Sequence, residues 1–576
     1  MTGEDRPLGG VHLNAGFGGL QSRTPHEVAA APRFELLIVG DFGGESRMSD
    51  LTSEDIASAL AGHGAVIRFD VPNHLGSEPP ALAIALPVRS LRDLDPGTIA
   101  ARVPEIVKAE AIAAEIARSG SVAGLDAEAK GPRFDKLTAA LAGQLRTPRQ
   151  AAAATAPAAA EDNSLDSLLS LVDVPGAPQQ ADPASAAISA FLSSTRGPQA
   201  APSGASAARP DAVTRQIEAI TRHPAWLTAE AAWRGLKLVL SARGRGTKPA
   251  LKLWDLGGES ITDALANDGF IGALAETAQE ARWSAILVVG AFGTSAADFE
   301  ALRHLALLGY ASQTPVIVSL AAGFFGKPAA EVAAMDNPAA LLDGPAHAAW
   351  RGLRDRPESQ FLFAAWNDVV LRAGEGQAPL WGDAGLVVAA QILSSLSRSG
   401  WPTEILGNQN PVEGLDVVEL SVRGGKTIAL PLCAALDGGV ARDLARDGLM
   451  ALVGRADRDQ AWLVRAAAVH QYGAVTDEMK AAMEGFAGLP FRFVSSLLES
   501  VSRERVETLP RGISDHDAAL LIEQALSDLV QTTGPGAAVT VAPTAASQDG
   551  ARAFEVSVTL GREVMGGFGF SFDIEA

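Results

Sequence analysis

Apolar positions along this chain repeat in two rhythms, and their order predicts an α/β protein. Phe34 to Val39 (FELLIV) is a short unbroken apolar run, the pattern of a strand buried on both faces, and it leads into a glycine-rich turn, Gly40–Gly44 (GDFGG). Ala65–Val71 (AVIRFDV) and Leu82–Val88 (LAIALPV) alternate with period two, as half-buried strands do. Ahead of both, after the glycine turn, a helix carrying Ile56 and Leu60 is expected, with Thr52 and Asp55 flanking its start. Gly97–Arg118 reads as helical, with Ile99, Val103, Ile106, Val107, Ile112 and Ile116 on the apolar side and Pro104 kinking or restarting it. Ala212–Leu240 reads as helix, break, helix. Val213, Ile217 and Ile220 share the first face, and His223-Pro224 ends it because the residue before proline avoids helical geometry. Leu227, Ala231, Leu236, Val239 and Leu240 continue the pattern, and Trp226 and Trp233 add large apolar surface that needs a partner. Strand and helix then alternate from Leu251. Ala285–Gly290 (AILVVG), a helix begun by Thr294, Ser295 and Asp298, and Pro315–Leu320 (PVIVSL) predict a right-handed βαβ unit with parallel strands. Phe554, Val556, Val558 and Leu560, then Phe568, Phe570, Phe572 and Ile574, predict two half-buried strands at the C-terminal end.

Two stretches break this rhythm. Residues 1–32 are Gly-rich and polar and are expected to be an arm, free or ordered on a partner. Residues 121–212 contain AAAATAPAAAEDN and a Pro/Ala/Ser run from Pro198 to Pro210, the composition of a linker. Within it Leu165, Leu168, Leu169 and Val172 fall on one helical face, a candidate docking helix for this chain's own domain or for a partner. A second apolar patch lies at Ala187–Leu192. The expected organisation is an arm at 1–32, a domain at 33–120, a linker at 121–212 and a larger region at 213–576. A chain of 576 residues is too long for one core, and 47% apolar residues is ample for two or more.

Charge and chemistry narrow the function by exclusion. With 47 basic and 67 acidic residues the net charge is −20, which argues against binding a phosphate backbone. The single cysteine, Cys433, excludes an internal disulfide, fits a reducing compartment and sits in an apolar run where a structural thiol is expected. Residues 1–32 lack the apolar core of a secretory signal, and the longest uncharged run, His304–Gly326, is broken by Gln313, Thr314 and Pro315. A soluble, cytoplasmic protein is expected. No histidine pair has helical zinc spacing, no GxSxG occurs, and the pairs Gly326-Lys327 and Gly425-Lys426 lack the P-loop glycine five residues before them, where Ala321 and Leu420 stand. No catalytic, cofactor-binding or metal residue is therefore assigned. Gly40–Gly44 and Gly290–Gly293 remain as the loops that an α/β enzyme or nucleotide-binding protein would use, and more simply serve backbone geometry, with Asp41 bonding local amides.

Several stretches in order resemble the contractile sheath proteins of type VI secretion systems. Arg33–Gly44 (RFELLIVGDFGG), Phe69–Asn73 (FDVPN) and Ser90–Ile106 (SLRDLDPGTIAARVPEI) resemble the small, TssB-like subunit. His223–Leu236 (HPAWLTAEAAWRGL) resembles a signature of the large, TssC-like subunit. Thr314–Gly326, Trp350–Arg372, Pro379–Gly407, Lys426–Leu452 and Leu489–Arg505 are similar to further blocks of it, whereas Leu521–Val530 lacks the aromatic residues expected there. The resemblance implies a fusion of both subunits. It implies mixed sheets flanked by helices, with an edge β-ribbon suited to strand exchange between subunits, in which Phe568, Phe570, Phe572 and Ile574 form the exchanged strand. It also implies self-assembly into a helical sheath around an inner tube protein on a baseplate, with contraction propelling the tube and no catalysis. Leu165, Leu168, Leu169 and Val172 hold the place of a docking helix for a sheath-disassembling ATPase. No nucleic-acid partner and no membrane insertion are implied. The alternatives are the α/β enzyme or nucleotide-binding protein above, and a non-contractile assembly adaptor of the same fold.

Overall fold

The computed structural model describes residues 34–51, 55–146, 209–244, 249–281, 283–374, 378–422, 425–472, 488–510, 512–544, 552–562, 564 and 568–575. They fall into two compact units, one of Met1–Phe69, Ile84–Thr98 and Arg222–Ala576, the other of Asp70–Ala83 and Ile99–Thr221. The arm at 1–32 and the candidate helix at Leu165, Leu168, Leu169 and Val172 lie outside the described residues.

The strands in chain order are β1 (Glu35–Gly40), β2 (Arg47–Asp50), β3 (Val66–Pro72), β4 (Ala81–Pro87), β5 (Ala250–Asp255), β6 (Ala285–Phe292), β7 (Val316–Leu320), β8 (Leu362–Trp366), β9 (Val369–Arg372), β10 (Leu380–Gly382), β11 (Val418–Ser421), β12 (Thr427–Leu430), β13 (Leu449–Gly454), β14 (Ala461–Leu463), β15 (Ala538–Thr544), β16 (Ala553–Thr559) and β17 (Gly569–Glu575). The helices of seven residues or more are α1 (Ile56–His63), α2 (Pro96–Arg102), α3 (Pro104–Ser119), α4 (Asp135–Arg146), α5 (Asp211–Thr221), α6 (Pro224–Ser241), α7 (Asp268–Ala281), α8 (Ala296–Ser312), α9 (Ala348–Arg354), α10 (Ala384–Ser399), α11 (Gly438–Arg446), α12 (Leu489–Glu507) and α13 (Asp515–Val530).

The first unit is built on an eight-stranded sheet in the order β14-β13-β8-β7-β6-β1-β5-β2. The six central strands run parallel and the two edge strands antiparallel. A parallel sheet is covered on both faces, which is why its strands are unbroken apolar runs rather than alternating ones. Leu36, Leu37, Ile38 and Val39 of β1 are all buried, as are all five residues of β7 and of β8. The βαβ reading of residues 285–320 holds: β6 and β7 are parallel, and Ser295 and Asp298 close a capping box on α8. The chain lays β5 on one side of β1 and then crosses to lay β6 on the other. A strand from the expected 33–120 domain is thus the spine of a sheet otherwise made mostly by residues beyond 249.

A second core in this unit joins α12, α13 and the three-stranded antiparallel sheet β15-β16-β17. Beyond the paired strands, α6 carries both tryptophans inward, Trp226 and Trp233 being fully buried. His223 accepts the Ala225 amide at the start of α6, and Phe69 stacks on the His223 ring at 4.3 Å, so two of the motifs singled out in the sequence touch.

The second unit packs α3, α4 and α5 around Ile106, Ala109, Ile112, Ile116, Leu137 and Ile220. Asn73 organises its β-turn, accepting the Leu75 and Gly76 amides and donating to the Pro79 carbonyl. Two expectations are corrected here. Residues 121–146, expected as linker, fold: Leu125, Ala129, Phe134 and Leu137 are buried, and the Leu137 amide donates to Leu75. Pro104 restarts the helix, one of the two outcomes expected of it, whereas Val107, expected on the apolar side, is 46% exposed.

Candidate functional site

Two places on the molecule were marked by the sequence, the glycine loops at the strand ends and the C-terminal strand. In open α/β sheets a ligand binds beyond the carboxyl ends of the strands, where the strand order reverses. Here that place is the end of β1, flanked by β5 and β6. A phosphate there would be held by free loop amides. The protein's own Asp255 takes them instead. Its Oδ1 accepts from the amides of Phe42 at 3.0 Å and Gly257 at 2.9 Å, and its Oδ2 accepts from the Gly44 amide and from His63 Nε2, each at 2.7 Å. Asp41 Oδ1 accepts from Gly43 and Gly258, the local bonding expected of it. Trp233 donates from Nε1 to the Phe42 carbonyl and sets its ring against Phe42 and His63. Gly44 has no room for a side chain, since a Cβ would lie 2.6 Å from Asp255 Oδ2.

Burial raises the cost of charge on both aspartates. For Asp41 burial dominates and pushes the pKa up, with the neighbouring Asp255 charge adding to it. For Asp255 burial also pulls upward, but the bonds from His63 and three amides outweigh it and hold the carboxylate below its usual range. The second loop is closed in a similar way: the Gly290 amide donates to Asp383 Oδ2 at 2.6 Å. Among the described residues no group of three or more His, Cys, Asp or Glu is placed to hold a metal. Cys433 is mostly buried, donates to Asn367 Oδ1 and has its pKa pushed up to about 12 by burial, which makes it a structural thiol.

The C-terminal strand is the second place. β17 pairs antiparallel with β16 in the register Phe554↔Ile574, Val556↔Phe572 and Val558↔Phe570. Phe570, Phe572 and Ile574 are 3–4% exposed and face α12 and α13, while Phe568 sits just before the strand, edge-on to Phe491. Of the four predicted residues, three therefore lie within the strand and all four on one apolar face. The Leu560 amide donates to Phe568, so the alternation of an antiparallel ladder turns the main-chain groups of Phe570, Phe572 and Ile574 toward β16. Those of Gly569, Ser571 and Asp573 turn to the other edge, on which no strand pairs among the described residues. The strand is saturated on one edge by its own chain.

Sequence reasoning missed the partners that hold these features. Glu230 is buried on α6 and accepts from Arg234 at 2.8 Å and Arg372 at 2.9 Å, so the arginine that ends the Trp350–Arg372 block pins β9 to α6. Only the i, i+4 spacing of Glu230 and Arg234 was visible beforehand. His63 and Asp255 are 192 residues apart, and no spacing signal connects them.

With this geometry in place, comparison with known proteins is informative for one segment. Residues 280–379 match the EvpB/VC_A0108 tail sheath N-terminal domain. They run from the end of α7 through β6, α8, β7, β8 and β9, the heart of the parallel sheet. The matched domain is a structural sheath domain rather than a catalytic one. Two solved structures are similar to the chain, each over 55% of it and 70% of the other chain. One is the baseplate of the anti-feeding prophage, at 12% identity and a TM-score of 0.34; the other is its helical sheath in the contracted state, at 13% and 0.32. No curated protein matches. No helix among the described residues is long and apolar enough to cross a membrane.

Proposed function

We propose that this chain is a structural subunit of a contractile sheath of the type VI secretion class, joining small- and large-subunit-like parts in one polypeptide. The observation that carries the reading is the tail sheath domain match across residues 280–379, the core strands of the main sheet. The β15-β16-β17 sheet supports it, because a strand edge that pairs with no further strand among the described residues, backed by a packed apolar face, can accept a strand from another copy through main-chain hydrogen bonds. Tethers of that kind survive rigid-body rotation of the subunits they join. In this reading copies assemble in the cytoplasm on a baseplate and around an inner tube protein. Contraction to a better-packed lattice then drives the tube outward, as interfaces with two discrete arrangements permit. The segment with Leu165, Leu168, Leu169 and Val172 is proposed as the handle for a disassembling ATPase.

Electron microscopy of the purified chain, alone and with a candidate tube protein, tests the function. Tubes or helical arrays are expected. A monodisperse particle under both conditions would count against it, and turnover of a nucleotide by that particle would favour the enzyme reading.

A further inference from the structure

The sheet β15-β16-β17 has an outer edge on β15 as well as on β17, and no strand pairs with the β15 edge among the described residues. β15 meets β16 in the register Val539↔Val558, Val541↔Val556 and Pro543↔Phe554. Phe554, Val556 and Val558 turn their main-chain groups toward β17, so the alternation of the ladder turns those of Val539, Val541 and Pro543 to the outer edge. The Val541 amide agrees with this direction, since it donates to Glu523 Oε2 of α13 at 3.0 Å and not to β16. Val539 and Val541 pack into the same apolar core as β17, so the edge has the backing that strand addition needs. It lacks the donors. An incoming strand would bond at these three positions, every second residue along the edge. Pro543 has no N–H, and the Val541 amide is already taken. The outward positions of β17, which are Gly569, Ser571 and Asp573, include no proline. A carboxylate closes the edge of β12 in the same manner: the Ala429 amide donates to Asp457 Oδ1 at 3.1 Å, and the Asp457 amide donates to the Ala429 carbonyl at 2.8 Å. Prolines and charged side chains turned onto an edge are the devices that stop a strand from templating another chain.

We propose that Glu523 and Pro543 shut the β15 edge against the β15 of a second copy of this chain, and so direct strand addition to the β17 side of the sheet. Two β15 strands would meet antiparallel about a two-fold axis, an isologous contact that closes on itself as a dimer. A strand supplied by a different element of the neighbour makes a heterologous contact, which repeats without closing and can build a helical array. Copies with an open β15 edge would be diverted from such an array into closed pairs. The refusal is local and physical. Two carbonyls of the incoming strand would lose their water and find no donor, and one of them would face the Glu523 carboxylate. The inference rests on the sheath reading for what the closed edge serves, but not for the closure itself.

The test is sedimentation velocity of the full chain. Glu523→Ala and Pro543→Thr are introduced together into the wild type and into a Gly569→Pro background, which removes an outward amide of β17. With two main-chain donors restored, the concentration for half-association is expected to fall by about tenfold or more in both backgrounds. Glu523→Gln alone keeps both an acceptor and the proline and is expected to match its parent. No gain in association, or a gain that Gly569→Pro abolishes, overturns the proposal. A parent chain that forms no arrays sinks the sheath reading yet leaves this comparison intact, so the two fail separately. Should the paired variant not fold, amide hydrogen exchange of the dilute wild type decides. The Val541 amide is expected to exchange more slowly than that of Val539, the remaining outward donor, and equal rates overturn the proposal.

Discussion

Asp255 shows how one residue can settle what a loop is for. Its carboxylate takes four donors, and three of them are amides that a bound phosphate would otherwise need. GDFGG looks ligand-ready as a string of letters; folded, its glycines let the backbone close around an internal aspartate. Gly44→Ala is expected to destabilise the protein by pushing His63 and Asp255 apart, which thermal denaturation would show as a lowered midpoint. Asp255→Asn turns a donor toward another donor and is expected to cost about 1–3 kcal/mol at pH 7, read by urea titration. Because the folded Asp255 pKa is depressed, its stabilisation is present above the unfolded value and is lost as pH falls through the folded one. Wild type and variant should therefore converge in stability on acidification; a constant gap would count against the assignment.

Among the elements, β17 carries two roles that point in different directions. Its apolar face belongs to the core of α12, α13 and β16, while its outer edge is the surface proposed for assembly. Removing the strand would conflate the two, so point changes must separate them. Phe572→Ala empties a fully packed site and is expected to cost about 3–5 kcal/mol, measured by denaturation. Gly569→Pro removes an outward amide at the first position of the strand, where proline is tolerated, and a Cβ there meets only ordinary van der Waals neighbours. It is expected to leave the unfolding midpoint nearly unchanged and to reduce assembly by light scattering. Undiminished assembly would remove β17 from the proposed interface. The alternation of Phe568, Phe570, Phe572 and Ile574 made the strand and its buried face readable in advance. Its pairing with β16 was not readable, because a free edge and a paired one leave the same period-two pattern.

On the scale of the whole molecule, the sheet joins regions that the sequence separates. β1 lies hydrogen-bonded between β5 and β6, so residues 209–576 alone would expose two unpaired apolar strands. Cutting the chain between residues 147 and 208 is expected to leave two fragments that co-elute in size-exclusion chromatography. The 209–576 fragment expressed alone is expected to aggregate, and co-expression with 1–146 to rescue it. Recovery of 209–576 alone as a stable monomer would refute this. Strand and helix identity, the break at His223-Pro224 and the structural reading of Cys433 were all determined by local pattern, since periodicity, proline geometry and apolar context act over a few residues. The folding of residues 121–146 was not, because the handful of buried side chains that hold them sit in low-complexity surroundings. Tertiary structure alone decided that β1 forms the spine of the sheet, that Asp255 fills the loop of Gly40–Gly44, and that Asp383 reaches the Gly290 amide. Each of these depends on which distant segments become neighbours, and residue spacing along a chain carries no record of that.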